Sequence, residues 1–100
     1  MLRSWSTVTT APLLIFFYSS RCGLSRQLDG YLAHALQRRG NHNAFRVRPV
    51  AFEQRPDLFA RFGIDAAPAI VILHDGEELA RHEGAMRPRM LQAMLDPWLN

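Results

Sequence analysis

The sequence predicts an α/β domain in which a mixed central sheet carries helices on both faces. Three observations carry that prediction. Two runs, residues 13–18 and 69–73, are apolar at every position, as strands are when both faces of their sheet are covered. Between them lie segments whose apolar residues recur every three or four positions, the pattern of helices with one buried face. Asp75-Gly76 then signals a tight hairpin. The second half thus adds an antiparallel strand and a helix to a first half that reads strand–helix–strand, a unit expected to be right-handed. One hundred residues suffice for one domain, taken here as 1–100.

Each element has its own signals. Residues 1–10 are polar and rich in Ser and Thr, and read as a short lead-in strand or an irregular arm. Pro12 opens the first strand. Residues 19–22 hold a turn and a helix start, after which Leu24, Leu28, Tyr31, Leu32, Ala35 and Leu36 form one apolar stripe. Gly40 is expected to stop this helix, after Arg38 and Arg39 have met the negative end of its dipole. Residues 44–52 read as the second strand, with Arg46 and Arg48 alternating with Phe45 and Val47, and Pro49 marking an irregularity. Pro56 and Asp57 suit the first turn of a short helix that turns Leu58, Phe59 and Phe62 inward and ends at Gly63. Residues 77–83 read as an edge strand whose charges discourage sheet-to-sheet pairing. Pro88 opens a last helix with Met90, Leu91, Met94 and Leu95 on its buried face. Pro97 ends or kinks it and leaves Trp98 to pack near the C-terminus.

Composition removes several function classes. The formal charge is +3, and all twelve basic residues are Arg. Arg38, Arg39, Arg46 and Arg48 form a basic cluster, but no aromatic residues interleave with them as a nucleic-acid stacking platform needs. They read as solvated surface, and no nucleic-acid partner is expected. The longest apolar run, residues 11–18, is eight residues long, too short to span a bilayer. No small-residue cleavage pattern follows it. The expectation is a cytoplasmic protein with no membrane partner. A single cysteine excludes an internal disulfide. His34, His42, His74 and His82 are scattered without paired ligand spacing, so no metal site is expected.

That cysteine, Cys22, is the candidate for chemistry. It follows a buried strand and sits in the first turn of a helix, where unpaired backbone N–H groups and the helix dipole favour a thiolate. Arg21 and Arg26 add positive charge nearby, and Ser25 can donate a hydroxyl hydrogen bond to the sulfur. Ser19, Ser20, Arg21 and Gly23 around it argue for exposure rather than for an inert, buried cysteine.

Here the sequence resembles the thioredoxin family. Cys22-Gly23-Leu24-Ser25 after an apolar strand is similar to the thioredoxin Cys-Gly-Pro-Cys motif, with Ser in place of the second Cys. Arg61-Phe62-Gly63-Ile64, Ala67-Pro68-Ala69-Ile70, Asp75-Gly76-Glu77 and Gly84-Ala85 follow in thioredoxin order and spacing. The resemblance covers residues 12–99 and implies a thioredoxin-like fold. It also implies a cis Ala67–Pro68 bond beside Cys22, and pairing of the backbone before Pro68 with an extended substrate chain. It assigns Cys22 and Ser25 to the catalytic site and Gly23, Leu24, Ala67 and Pro68 to substrate binding.

The departures define the expected activity. The resolving cysteine is Ser25, the Trp before the first cysteine is Arg21, the buried acid of the preceding strand is Phe16, and a nearby lysine corresponds to Pro49. A dithiol cycle cannot run, but Cys22 can form a mixed disulfide that an outside thiol such as glutathione releases. The expected function is therefore a monothiol thiol–disulfide exchange or deglutathionylation protein. It would act on protein or glutathione disulfides and need no bound cofactor. The alternative is a catalytically degenerate thioredoxin-like module that keeps the groove and binds proteins. Cys22-Gly23-Leu24-Ser25 also resembles the Cys-Gly-Phe-Ser motif of monothiol glutaredoxins, which share an iron–sulfur cluster between two subunits with glutathione. The Gly-Gly pair followed by Asp that those proteins carry after the proline strand is missing.

Overall fold

Strand β1 (Leu13–Tyr18) organises the molecule. It pairs in parallel with β2 (Arg46–Ala51) and antiparallel with β3 (Ala69–His74), and β3 pairs antiparallel with β4 (Glu77–Glu83). The sheet order is β2-β1-β3-β4. The structure, a computed structural model, describes residues 11–37 and 44–99. The expected lead-in at residues 1–10 and the helix stop at Gly40, with Arg38 and Arg39, lie outside these residues.

The period-two alternation of β1 sorts its side chains between two cores. Leu14 and Phe16 join Ile70 and Ile72 beneath α1 (Gly23–Gln37) and α3 (Pro88–Leu95), where Leu28, Leu32, Leu91 and Leu95 close the layer. Ile15 and Phe17 point the other way and pack with Val50, Val71 and Phe59 of α2 (Pro56–Arg61). Both faces of β1 and β3 are therefore covered, which is why their sequences are apolar throughout. The fold class is that predicted: α/β, mixed sheet, helices on both faces. No helix among the described residues is long and apolar enough to cross a membrane.

The hairpin follows its signal. β3 and β4 are joined by Asp75 and Gly76 alone, and both have positive φ, 54° and 78°, as a two-residue type I′ loop demands. Past Pro97 the chain continues as a short 3-10 turn (Asp96–Trp98). This sets Trp98 edge-on to Phe45 at 5.6 Å.

Three expectations fail, each for a geometric reason. The second strand is shorter than 44–52, and its Arg/apolar alternation does not bury Val47, which is 44% exposed. β2 is one of the two edge strands among the described residues, where Val47 is left without a full covering layer. That outer position also accommodates Pro49 within the strand. Leu24 does not join the buried stripe of α1. That stripe runs Ser25, Leu28, Leu32 and Ala35, and a residue one position before Ser25 is turned by about 100°. Met90 is exposed for the same reason, one position before buried Leu91.

Phe17 is fully buried, edge-on to Phe59 at 5.0 Å and tilted against Phe62 at 5.5 Å. Phe17→Ala should cost about 3–5 kcal/mol of stability in urea unfolding. Leu79→Ala, at the register shift of β4 and 45% exposed, should cost under about 0.5 kcal/mol.

Candidate functional site

The topology brings four loops to one end of the sheet. β1 ends where antiparallel β3 begins, Phe17 facing Ala69, so the residues after Tyr18 lie beside those before Ala69. Parallel β2 ends at the same edge, Ala51 facing Tyr18, and β4 ends there too, Glu83 facing Ala69. Cys22 and Pro68 are 46 positions apart, yet Cys22 Sγ lies 3.8 Å from the carbonyl oxygen of Ala67. The Ala67–Pro68 peptide bond is cis.

Cys22 sits at the N-cap of α1. Its N–H donates to Ser19 O at 3.1 Å, and its carbonyl accepts the first helical bonds from Ser25 and Arg26 at 3.1 and 3.3 Å. A side chain at this position accepts from the N–H groups two and three residues on, here Leu24 and Ser25. The Cys22 thiol is held below its ordinary value chiefly by the Ser25 hydroxyl, then by the Ser25 and Leu24 N–H groups and by Arg26. Partial desolvation opposes them. The sulfur is half-buried.

Ser25 is 1% exposed, the one buried polar residue among the described residues. Its oxygen accepts from Ser19 N–H at 3.2 Å, which leaves its own hydrogen free for the sulfur. The site can hold a thiolate and present it beside the Ala67 carbonyl. Gly23 and Leu24 form the outer wall of the helix start, both exposed. Next to Ala67 runs a groove of about 230 Å³ lined by Phe52, Phe59, Ile64 and Ala66. Phe52, 49% exposed, forms its apolar rim.

Behind Ser25 a cavity of about 350 Å³ is lined by Phe16, Tyr18 and Pro49 of the sheet and by Arg26 and Asp29 of α1. Phe16 and Pro49 face each other across the β1–β2 ladder. The positions that the resemblance gives to an acid and a lysine are thus neighbours here and both apolar. Neither can carry a proton to the site.

Two carboxylates at this end escaped the sequence reading. Glu53 accepts from Ser19 Oγ at 2.6 Å and from Ser20 N–H at 3.3 Å. Glu83 accepts from Asp65 N–H at 2.9 Å and pairs with Arg81, which also donates to Phe62 O. Glu83 and Arg81 thereby brace the loop that carries Ala67. Their partners are remote in sequence, and only the strand-end juxtaposition gives a signal for them. Among the described residues no group of three or more His, Cys, Asp or Glu side chains could hold a metal ion.

Ser25→Ala should raise the Cys22 pKa, because it removes the largest stabiliser of the thiolate. The pH dependence of iodoacetamide alkylation reads this directly. The wild-type midpoint should fall below the free thiol's value of about 8.5, and the variant's should lie above the wild type's. The sign for folding follows. A pKa lowered by folding adds stability above the unfolded-state value, and that contribution fades as pH falls through the folded one.

A family model described as Thioredoxin matches residues 5–97. The chain is similar to the monothiol glutaredoxin-S17 of Arabidopsis thaliana, 29% identical over 75 residues. That match covers 75% of this chain but only 15% of the relative's length. Mitochondrial thioredoxin 3 from Saccharomyces cerevisiae, in its oxidized form, superposes with a TM-score of 0.75 at 21% identity, over 96% of this chain and 89% of that one. Trxlp from Edwardsiella tarda gives a TM-score of 0.75 at 18% identity, over 99% and 92%. At these identities the structural likenesses speak for the fold.

Proposed function

Since the chain belongs to the thioredoxin family, whose general chemistry is thiol–disulfide redox, we propose that it is a monothiol exchange protein that removes glutathione from mixed disulfides. The Cys22 thiolate attacks the glutathione sulfur of a glutathionylated protein. The old S–S bond breaks, the protein thiolate leaves and takes a proton from water, and Cys22 carries glutathione. A free glutathione thiolate then attacks the glutathione sulfur on Cys22. Glutathione disulfide leaves, and the Cys22 thiolate is restored. Ser25 stabilises the thiolate at both ends of the cycle. Ala67 and Pro68, with Gly23 and Leu24 opposite, hold the substrate backbone, and no bound cofactor takes part. An outside reductant of this kind fits a cytoplasmic setting.

The observation that carries this reading is the half-buried Cys22 at the start of α1, its sulfur 3.8 Å from the Ala67 carbonyl oxygen and beside the cis Ala67–Pro68 bond. The Arabidopsis relative is itself a monothiol glutaredoxin, which agrees with it. The test is release of glutathione from a glutathionylated peptide. Turnover should require free glutathione and rise with its concentration, and absence of release at any glutathione concentration would refute the proposal.

A second reading has its own support in the apolar Phe16–Pro49 pair. With neither an acid at Phe16 nor a lysine at Pro49, the groove serves as a protein-binding surface, and Cys22 is incidental. In that case a bound peptide would stay bound equally well to Cys22→Ser.

A further inference from the structure

Glu53 follows β2 and lies 34 positions from Ser19, yet its two oxygens hold consecutive residues of the Cys22 loop. Oε2 accepts from the Ser19 hydroxyl at 2.6 Å, and Oε1 accepts from the Ser20 N–H at 3.3 Å. The Ser19 oxygen accepts in turn from the Arg21 N–H at 3.3 Å. Ser19 then reaches back under the helix: its own N–H donates to Ser25 Oγ at 3.2 Å. One residue thus carries a bond from Glu53 on its side chain and a bond to Ser25 on its backbone.

Resting on the nucleophilic role proposed for Cys22, we propose that Glu53 is a positioning residue for that sulfur: its carboxylate clamps Ser19 and Ser20, and the clamped Ser19 holds the Cys22 N–H on its carbonyl at 3.1 Å and the Ser25 oxygen on its own N–H at 3.2 Å. A serine hydroxyl has one hydrogen and rotates to suit its partners. With the Ser19 N–H bonded to its oxygen, that hydrogen is left free to donate to the Cys22 sulfur. Exposed charge pairs usually contribute little. A carboxylate that accepts a short O–H bond and an N–H bond from adjacent residues instead sets a geometry. The carboxyl of Glu53 is held below its ordinary range, first by the Ser19 hydroxyl, which agrees with a bond kept in the ionised state.

The sign of one measurement separates positioning from simple charge. A negative charge near a thiol raises its pKa. Neutralising Glu53 should therefore lower the Cys22 pKa if Glu53 acts only through space, as Arg26 does with opposite sign. If Glu53 positions Ser25, neutralising it should raise the Cys22 pKa. The experiment is the pH dependence of iodoacetamide alkylation of Cys22 in wild type, Glu53→Gln, Ser19→Ala and Ser19→Thr, with thermal unfolding of each.

Glu53→Gln and Ser19→Ala should each shift the midpoint up by about half a unit, roughly a threefold loss of thiolate at neutral pH. The double variant should shift it no further than the larger single change, and Ser19→Thr, which keeps the hydroxyl, should stay near wild type. A downward or absent shift in Glu53→Gln overturns the proposal. If Glu53→Gln fails to fold, an unshifted midpoint in Ser19→Ala overturns it just as well. A wild-type midpoint at or above about 8.5 would instead defeat the nucleophilic role of Cys22, a separate outcome.

Discussion

Cys22→Ser is expected to eliminate glutathione removal, to below detection, while leaving the fold and the Ala67 groove in place. No second thiol exists in the chain to substitute for it. A serine hydroxyl at the N-cap caps α1 at least as well as a cysteine, so the helix start should not suffer. The hydroxyl is not a usable nucleophile toward sulfur, and the change touches neither core cluster. Thermal unfolding should match wild type within about 2–4 °C, as expected for a change worth under about 0.5 kcal/mol. Retained release activity in Cys22→Ser would mean that Cys22 is not the reacting group.

Ser25→Cys is expected to do the reverse and create an activity that wild type lacks. Wild type should be nearly inactive in insulin reduction with thioredoxin reductase, because a mixed disulfide on Cys22 has no internal thiol to resolve it. Ser25 lies one helical turn from Cys22, its N–H bonded to the Cys22 carbonyl at 3.1 Å, so a sulfur built there starts close to the Cys22 side chain. The cavity of about 350 Å³ behind Ser25 gives the larger atom room. Well-oriented intramolecular groups can reach effective concentrations of about 10⁵ M. External glutathione at millimolar levels is many orders lower, so even a poorly aligned thiol in place of the Ser25 hydroxyl should speed adduct release by about 100-fold or more. Insulin reduction should appear but stay below that of a dithiol thioredoxin. Phe16, 3% exposed, offers no proton where the family places a buried acid. No gain of insulin reduction in a folded Ser25→Cys would show that Cys22 does not present its mixed disulfide toward this position.

The two-sided hydrophobicity of β1 and β3 and the Asp75-Gly76 turn made the sheet legible, because each expresses a constraint local to its own segment. What the sequence misjudged depends on neighbours distant in the chain. Val47 looks like a buried strand residue until its strand is found to lie outermost among those described. Leu24 and Met90 match a helical spacing, but each sits one position off the buried face. At the site, Cys22 and Ser25 stood out because their spacing and the helix start are local. Placing Pro68 beside them required the family pattern. Glu53 and Glu83 left no local trace, since each acts on a backbone segment that the sheet register delivers from elsewhere.

The most direct test of the monothiol cycle is the intact mass of the protein after mixing with one equivalent of glutathionylated peptide and no free glutathione. The expected result is one glutathione on Cys22 and free peptide thiol in solution, an adduct that persists until glutathione is added and then disappears. No adduct on Cys22, or an adduct that disappears without any added thiol, would contradict it.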